Sequence, residues 1–220
     1  MGYNEYVFDK GKFIGKFEEM YQKSEEVPWH QDVYHSEIFG DIGIDILKRF
    51  TGDSFCDIAC GLGYYTARIQ KEIFNKENQK VYGLDLSSTA IEQAKQLHMD
   101  SNIHFYSLDL LQTEDCLRFK KEVLNNEMLD AIMIKEVLWY VVDHLNVFID
   151  NINLFLKPNG FLYVQQSFPE VKEYYGQKIF PNANALKDFF KQFYQFNYQC
   201  IERDARFNER ELIHLVISKK

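Results

Sequence analysis

Three aspartates stand in or just after predicted strands, where their carboxylates could hold a polar ligand. Asp57 interrupts a short apolar stretch, Asp85 ends a second stretch, and Asp109 closely follows a third. Ligands of open α/β sheets bind outside the carboxyl ends of the strands, so these side chains are expected to line one site. Carboxylates accept hydrogen bonds from ammonium groups or from the hydroxyls of a ribose. The three aspartates therefore predict a ligand that carries such groups.

A glycine turn follows Asp57 and separates the first predicted strand from a helix. Gly61 and Gly63 make this turn, and an amphipathic helical pattern begins at about Tyr64. Glycine lets the backbone approach a ligand closely, and the start of a helix offers unpaired N–H groups. A dinucleotide-binding turn has a third glycine, which is absent here, and Asp57 would repel a pyrophosphate. The turn therefore argues against NAD as the ligand.

Alternating strands and helices are expected to bring these side chains to one edge of a mostly parallel sheet. Apolar stretches predict strands at 55–59, 80–84, 103–107, 128–135 and 161–166. Amphipathic stretches predict helices at about 64–75, 113–124 and 144–156, and a further helix is predicted to begin after Ser87 as its N-cap. Residues 157–160 predict a turn. Near the end of the chain, stretches 197–206 and 210–218 predict an antiparallel hairpin joined at 207–209.

Residues 1–50 predict helices that either pack against the sheet or cap the mouth of the ligand site. One helix face is predicted from the spacing of Phe13, Phe17, Met20 and Tyr21. Pro28 breaks this pattern, and a second helix is expected over 36–50 with Ser36 as its N-cap.

Aromatic side chains concentrate in two segments that could close over the ligand site. The first segment contains an aromatic and imidazole cluster, formed by Tyr21, Trp29, His30, Tyr34 and His35. The second is the long connection 167–182, with Phe168, Tyr174, Tyr175 and Phe180. Long loops in compact domains often act as lids, so both segments are expected to lie over the same mouth.

The composition favours a globular protein that binds neither nucleic acid nor membranes. The formal net charge is −8, whereas phosphate-rich partners need a basic surface. No apolar run reaches the roughly 18 residues that span a bilayer. The four cysteines lack a zinc-binding spacing, so no metal site is predicted and free thiols in a reducing, cytoplasmic compartment are expected.

The order of these motifs resembles the class I methyltransferases that depend on S-adenosylmethionine (SAM). Asp57 and the glycine turn resemble motif I of that family, with Ala59 where glycine is common; alanine is small, so little harm is expected. Asp85 resembles the acid of motif II. The stretch 136–141 resembles the motif after the fourth strand in small-molecule methyltransferases, where the chain leaves the sheet beneath the methyl donor. The Leu-Lys-Pro-x-Gly pattern at 156–160 is also typical of this family.

This resemblance covers roughly residues 50–218 and implies a fold. The fold is α/β, a Rossmann-like three-layer sandwich with a seven-stranded, mostly parallel sheet and a C-terminal antiparallel hairpin. Residues 1–220 are expected to form a single domain in which 1–50 is an N-terminal helical cap. Within the family, Tyr21, Pro28-Trp29 and the stretch 136–140 look like the nodulation-type sugar N-methyltransferases.

The resemblance also implies which residues bind the cofactor. Asp57 would lie beside the amino-acid end of SAM, Asp85 at the ribose, and Asp109 at the adenine amino group, with a helix cap as the alternative role of Asp109. The full implied set is Asp57, Ala59, Gly61, Gly63, Asp85, Leu86, Asp109, Leu110, Glu136, Tyr21 and Trp29.

The implied reaction is methyl transfer from SAM to an amine or hydroxyl of a small molecule, a sugar or related metabolite. S-adenosylhomocysteine (SAH) would be the product. A hydroxyl acceptor usually needs a general base, and the candidates are His144, His35, His30 and Glu136, although each histidine could equally be a packed or surface residue. A SAM-binding module without catalytic activity is the alternative. The expected partner is a small-molecule acceptor, and a homodimer is one oligomeric state to consider.

Overall fold

A computed structural model describes residues 2–50, 52–168, 174–204 and 210–219 of the chain. Its strands are β1 (Phe8–Asp9), β2 (Lys12–Phe13), β3 (Ser54–Ile58), β4 (Lys80–Asp85), β5 (Ile103–Ser107), β6 (Leu129–Lys135), β7 (Leu156–Phe168), β8 (Tyr194–Asp204) and β9 (Arg210–Lys219). Within this described part, seven strands form one sheet in the order β5-β4-β3-β6-β7-β9-β8.

The helices alternate with these strands. They are α1 (Asn4–Val7), α2 (Phe17–Lys23), α3 (Gln31–Tyr34), α4 (Ile38–Leu47), α5 (Tyr64–Glu72), α6 (Ser88–Leu97), α7 (Thr113–Glu122), α8 (Leu145–Phe155) and α9 (Ala183–Phe190), with 3-10 segments at Pro28–His30 and Leu138–His144. Across the ranges that the structure describes, no helix has the length and apolar character needed to cross a bilayer.

The strand pairing confirms the predicted fold class. Strands β5, β4, β3, β6 and β7 pair in parallel, whereas β9 pairs antiparallel with both β7 and β8. Residues 207–209, where the hairpin was expected to turn, lie outside the described residues. Parallel strands are usually covered on both faces, which explains why the central strands are nearly continuous apolar runs.

Helices cover both faces of the sheet and give the expected three layers. Alternate residues of β6 show this: Ile132 and Ile134 belong to one buried cluster, and Ala131 and Met133 belong to another. The first cluster includes side chains of α7, α8 and α9, namely Phe119, Phe148, Phe155 and Phe190. The second includes side chains of α4 and α5, namely Ile44, Leu47, Tyr65 and Ile69. Burying each large apolar side chain contributes about 1.5–3 kcal/mol to folding.

The predicted turn at residues 157–160 is a bulge within β7. Leu129 pairs with Leu156 and Ala131 pairs with Phe161, so one residue of β6 faces four residues of β7. Gly160 allows the close approach of β7 to β6, because an added Cβ would lie 2.9 Å from the backbone oxygen of Asp130. All four cysteines are free thiols, as predicted, and three of them are buried.

The N-terminal segment departs from the all-helical prediction. Phe13 lies on β2, not on the helix with Phe17, because a tight hairpin precedes that helix. Lys10 and Gly11 both have positive φ angles, +47° and +79°, as two-residue hairpin turns require. The predicted Ser36 cap is also wrong, since α4 begins at Ile38 and the Ser36 hydroxyl donates to Val33 O at 2.9 Å.

Glu18 anchors this N-terminal segment to the start of α6. Its carboxylate accepts from the hydroxyls of Ser87 and Thr89, both at 2.6 Å, and from Ser88 Oγ at 3.2 Å. Burial alone would raise the pKa of Glu18, but these hydrogen bonds outweigh it and lower the pKa to about 2. An ionised carboxylate also suits the positive end of the helix dipole.

Replacing Glu18 with glutamine is expected to lower the free energy of unfolding at neutral pH by about 1–2 kcal/mol, because charge-assisted hydrogen bonds are lost. The folded pKa lies below the ordinary value of 4.5, so the contribution is complete above that pH and fades as pH falls towards about 2. Urea unfolding of both proteins at about pH 7, 5 and 3 measures this. The matched control is Glu19→Gln, whose carboxylate pairs with Lys16 and Lys23 at the surface. A stability difference that is unchanged by pH would contradict the assignment.

Candidate functional site

A cavity of about 740 Å³ lies at the carboxyl edge of the parallel strands, beneath the N-terminal segment. This is the edge at which ligands bind in open α/β sheets, and the volume falls within the usual range of about 300–1,000 Å³ for ligand sites. The predicted site residues that line it are Tyr21, Trp29, His30, His35, Asp57, Ala59, Asp85, Leu86, Asp109, Leu110 and Glu136. Gly61, Gly63 and His144 are not part of its wall.

Asp57 is a buried carboxylate at the end of β3. Its Oδ2 accepts from Thr66 Oγ1 of α5 at 2.5 Å. Burial raises the pKa of Asp57 to about 7, although the Thr66 hydroxyl and the charge of Lys135 oppose the rise. No lysine or arginine in the described part of the chain forms an ion pair with it. The carboxylate is therefore suited to receive a cationic group from a ligand.

Asp85 links the end of β4 to the glycine turn. Its Oδ2 accepts from Gly61 N at 2.9 Å and its Oδ1 accepts from Ser87 N at 2.9 Å. Burial raises the pKa of Asp85 to about 6, while these two backbone N–H groups counteract the rise. Each carboxylate oxygen has a second lone pair, so both can still accept from a pair of ligand hydroxyls.

Asp109 lies on the cavity wall just beyond β5. Its Oδ1 accepts from Leu111 N at 2.9 Å, which closes a local turn. The N-cap of α7 is Gln112, so Asp109 does not cap that helix. Its Oδ2 accepts a long hydrogen bond of 3.4 Å from Gln112 Nε2, and a carboxylate oxygen has a further lone pair with which to accept from a ligand.

The glycine turn packs against other parts of the protein and does not face the open cavity. Gly61 has φ +55°, and a Cβ there would lie 2.4 Å from Gln31 Oε1 and 2.7 Å from the Tyr21 hydroxyl. Gly63 has φ +75°, and its Cβ would meet the Phe105 ring at 2.7 Å. Both positions therefore require glycine, but the close approach that they permit is to protein atoms.

Gln31 occupies the place that the turn was expected to offer to a ligand. Apart from its position beside the aromatic cluster, no feature of the sequence predicted this role. Its Oε1 accepts from Leu62 N at 2.9 Å, and its Nε2 donates to the Tyr21 hydroxyl at 3.1 Å. The amide therefore joins the N-terminal segment to the glycine turn.

Two non-glycine residues at strand ends adopt left-handed backbone conformations. Ala59 and Glu136 both have φ +57°. This conformation costs an L-residue about 1–2 kcal/mol, so the expectation that alanine does little harm at position 59 underestimates the strain. Such strain tends to persist at functional sites, where the surrounding structure enforces it.

Glu136 is held rigidly at the end of β6. Its Oε2 accepts from Gln166 Nε2 at 3.0 Å, from Ser167 N at 3.1 Å and from Ser167 Oγ at 2.8 Å. All three of these bonds use one oxygen, so the carboxylate is fixed in orientation and its other oxygen stays available in the cavity.

The candidate histidines separate into two groups. His144 is exposed at the end of a 3-10 segment and does not line the cavity. His35 lines it, with Nδ1 3.1 Å from Gln31 O and its ring 5.5 Å from that of Tyr64. His30 also lines it and contacts the rings of Tyr3 and Tyr34.

A row of buried polar side chains behind the cavity was not predicted from the sequence. Gln165 lines the cavity, and its Oε1 accepts from the Tyr163 hydroxyl at 3.2 Å. That hydroxyl also lies 2.7 Å from His214 Nδ1, and His214 Nε2 lies 2.5 Å from Glu202 Oε1. The antiparallel register of β7, β9 and β8 brings these residues together, and no local pattern reveals that register.

Aromatic rings of the N-terminal segment and of the stretch after β6 line the cavity, and the connection after β7 contacts the N-terminal segment at rings outside the cavity wall. Trp29 Nε1 donates to the Tyr140 hydroxyl at 3.0 Å. Tyr175, from the connection after β7, stacks on Phe13 with ring centroids 5.0 Å apart and lies near Phe8. Residues 169–173 of that connection lie outside the described residues. The segments are on one edge of the sheet, while their closing motion stays a prediction.

Comparisons with known proteins agree with this geometry. Residues 50–205 match a protein-family model described as a methyltransferase domain. No curated protein sequence matches the chain.

Solved structures show the same fold in several methyltransferases. The N-methyltransferase NodS from Bradyrhizobium japonicum WM9, in complex with SAH, aligns with a TM-score of 0.64 and 18% identity over 89% of this chain and 93% of that chain. A SAM-dependent methyltransferase from Anabaena variabilis aligns with a TM-score of 0.65 and 15% identity over 86% of this chain and 87% of that chain. The CurJ carbon methyltransferase aligns with a TM-score of 0.63 and 12% identity over 86% of this chain and 57% of that chain.

Because the family model spans most of the chain, the fold, the enzyme class and the cofactor agree with the prediction from motifs. The chain belongs to the methyltransferase domain family and is an enzyme that takes its methyl group from SAM and leaves SAH as the product.

Proposed function

We propose that this enzyme methylates an amine or hydroxyl of a small polar molecule, a sugar or related metabolite. The observation that carries the proposal is a single cavity that spans both halves of the sheet edge under an aromatic roof. A concave site of this volume suits a small acceptor better than a nucleic acid or a protein, and the net charge of −8 also disfavours nucleic acid.

The cofactor half of the cavity would be the wall beside β3, β4 and β5. In the proposal, Asp57 holds the ammonium of the amino-acid end, Asp85 the ribose hydroxyls, and Asp109 the adenine amino group. The chemistry of these residues fits the cofactor, because two buried carboxylates with raised pKa values gain from a cationic ligand. When bound, SAM supplies a methyl group on a positively charged sulfur, so the protein has only to align the acceptor and exclude water.

The acceptor half would be the wall beside β6 and β7. Glu136 offers a fixed carboxylate and Gln165 an amide, while Trp139 and Tyr140 offer aromatic surfaces against which a sugar ring or apolar face can pack. In this role Glu136 accepts a hydrogen bond from the acceptor N–H or O–H. His35 and His30 are the cavity-lining candidates for the base that a hydroxyl acceptor would need.

The acidic lining favours an amine among these acceptors. Glu37, Asp57, Asp85, Asp109 and Glu136 all line the cavity. A lining of this sign attracts cations and raises their local concentration, so an ammonium-bearing acceptor would be drawn to the site before it loses its proton.

The test is SAH production by the purified enzyme with matched acceptors: amino sugars, the same sugars with hydroxyl in place of the amine, a protein mixture and total RNA. We expect turnover with an amino sugar and loss of at least about tenfold in Glu136→Gln, since a charged hydrogen-bond partner is removed. Asp188→Asn, an exposed acid on α9, is the control and should keep full turnover. Turnover confined to the protein or RNA fraction would contradict the proposal.

The raised pKa of Asp57 makes cofactor binding depend on pH. The free protein keeps a proton on Asp57 below pH about 7, and binding an ammonium requires the ionised form. The ionised fraction rises about eightfold between about pH 6 and pH 7.5, so SAH affinity measured by calorimetry should rise by a similar factor.

The matched control for this pH effect is Asp57→Asn. It should bind SAH more weakly and keep only the shallower dependence that comes from Asp85, whose pKa is raised to about 6. A flat profile in the unmodified enzyme, or the same slope in both proteins, would show that Asp57 does not hold the ammonium.

A further inference from the structure

Lys135 is a cation at the cavity wall without a carboxylate partner. It ends β6 and is half-buried, and its Nζ lies 5.1 Å from the centroid of the Tyr65 ring. Among the described residues no Asp or Glu lies within ion-pair distance of it. Within the same described residues, it is the one lysine or arginine that lines the cavity.

The register of the sheet puts Lys135 beside the amino-acid end of the proposed cofactor site. Met133 pairs with Asp57 across β6 and β3, and Lys135 follows Met133 by two residues. Residues two apart on a strand share a face, so Lys135 and Asp57 project from the same side of the sheet. The effect of Lys135 on the pKa of Asp57 agrees with this proximity.

The acids of the cavity wall make the rest of it unfavourable for an anion. Its basic groups besides Lys135 are the imidazoles of His30 and His35, whereas its acids are Glu37, Asp57, Asp85, Asp109 and Glu136. A ligand carboxylate placed against them would be repelled and left without a partner, which is costly in a water-excluded site. The amino-acid end of SAM and SAH carries a carboxylate as well as an ammonium.

We infer that Lys135 binds the α-carboxylate of the cofactor's amino-acid end, opposite the ammonium held by Asp57. The inference rests on the proposed cofactor site. The Tyr65 ring contacts the ammonium of Lys135 through its face and leaves N–H groups to donate to a carboxylate. Tyr65 is itself fixed, because its hydroxyl donates to Gly40 O at 2.8 Å. The two oppositely charged side chains thus recognise a zwitterion.

A comparison of two ligands distinguishes binding of the α-carboxylate by Lys135 from a general effect of Lys135 on the site. SAH has the amino-acid end, whereas methylthioadenosine has the same adenosine and sulfur without it. Calorimetry should show that Lys135→Met lowers the affinity for SAH by about 10- to 100-fold, because a charge-assisted contact is lost. The affinity for methylthioadenosine should change by less than about twofold. Lys135→Arg keeps the cation and should retain most of the SAH affinity. Lys80→Met, at an exposed lysine paired with Glu127, controls for the loss of one charge.

The possible outcomes lead to different conclusions. Equal losses for both ligands, or no loss of SAH affinity in Lys135→Met, would overturn the assignment of Lys135 and leave the cofactor site standing. Failure of the unmodified enzyme to bind either ligand would overturn the proposed site and this inference together. If Lys135→Met does not fold, decarboxylated SAH, which keeps the ammonium and lacks only the carboxylate, provides the test in the unmodified enzyme. It should bind about 10- to 100-fold more weakly than SAH, and equal affinity for the two ligands would overturn the inference.

Discussion

Replacing Asp85 with alanine is expected to weaken SAH binding by about 1–3 kcal/mol, or roughly 5- to 150-fold, because two hydrogen bonds to the ribose hydroxyls are lost. The loss is expected to arise at the ribose site itself, since Asp85 ends β4 and lines the cavity. Calorimetry on the folded variant measures the loss, and circular dichroism confirms that the fold is kept.

Asp85 also stabilises the local backbone, so the affinity measurement needs controls. Its carboxylate accepts from the backbone N–H groups of Gly61 and Ser87, and alanine would leave both without this acceptor. Methylthioadenosine keeps the ribose and should lose affinity along with SAH, whereas adenine alone should bind the variant and the unmodified enzyme equally. Asp100→Ala, at an exposed acid after α6, should change nothing. Unchanged SAH affinity in a folded Asp85→Ala protein would remove the ribose assignment.

Deleting residues 2–35 is expected to lower turnover by more than about 100-fold while a folded core remains. The deletion removes the cavity roof that Trp29 and Tyr21 supply and the Gln31 amide that covers the glycine turn. Loss of water exclusion and of acceptor alignment affects the reaction directly. Turnover is measured as SAH formation, and stability as the thermal midpoint.

Stability should fall as well, because Met20 is fully buried and Glu18 anchors the segment to α6. Two point variants therefore test the roof without the deletion: Gln31→Ala and Trp29→Ala should each lower turnover with a small change in midpoint. Hydrogen exchange should show residues 21–35 and 174–182 becoming protected together when cofactor and acceptor bind. Full turnover by the truncated enzyme would mean that the N-terminal segment only packs.

Features that depend on local sequence patterns were predicted correctly. The three aspartates could be placed at one edge because each follows an apolar stretch, and parallel strands bring their carboxyl ends together. Ser87 was correctly expected to cap α6, and its hydroxyl accepts from Ala90 N at 3.1 Å. The glycine turn was also correct in conformation, since Gly61 and Gly63 both have positive φ angles.

Residues whose environment depends on long-range register were missed. Lys135 looked like the last residue of a strand, and only the pairing of β6 with β3 sets it beside Asp57. Gln165 and His214 are neighbours across an antiparallel pair that no short pattern specifies. Phe13 fitted helical spacing, but the positive φ angles at Lys10 and Gly11 turn the chain into a hairpin before the helix.

The structure of the enzyme with SAH tests the central claim most directly. We expect SAH in the cavity at the carboxyl edge, with its ammonium beside Asp57, its ribose hydroxyls on Asp85 and its adenine amino group beside Asp109, leaving the space next to Glu136 open for an acceptor. SAH bound outside this cavity, or bound in it with the adenine beside Glu136, would contradict the account.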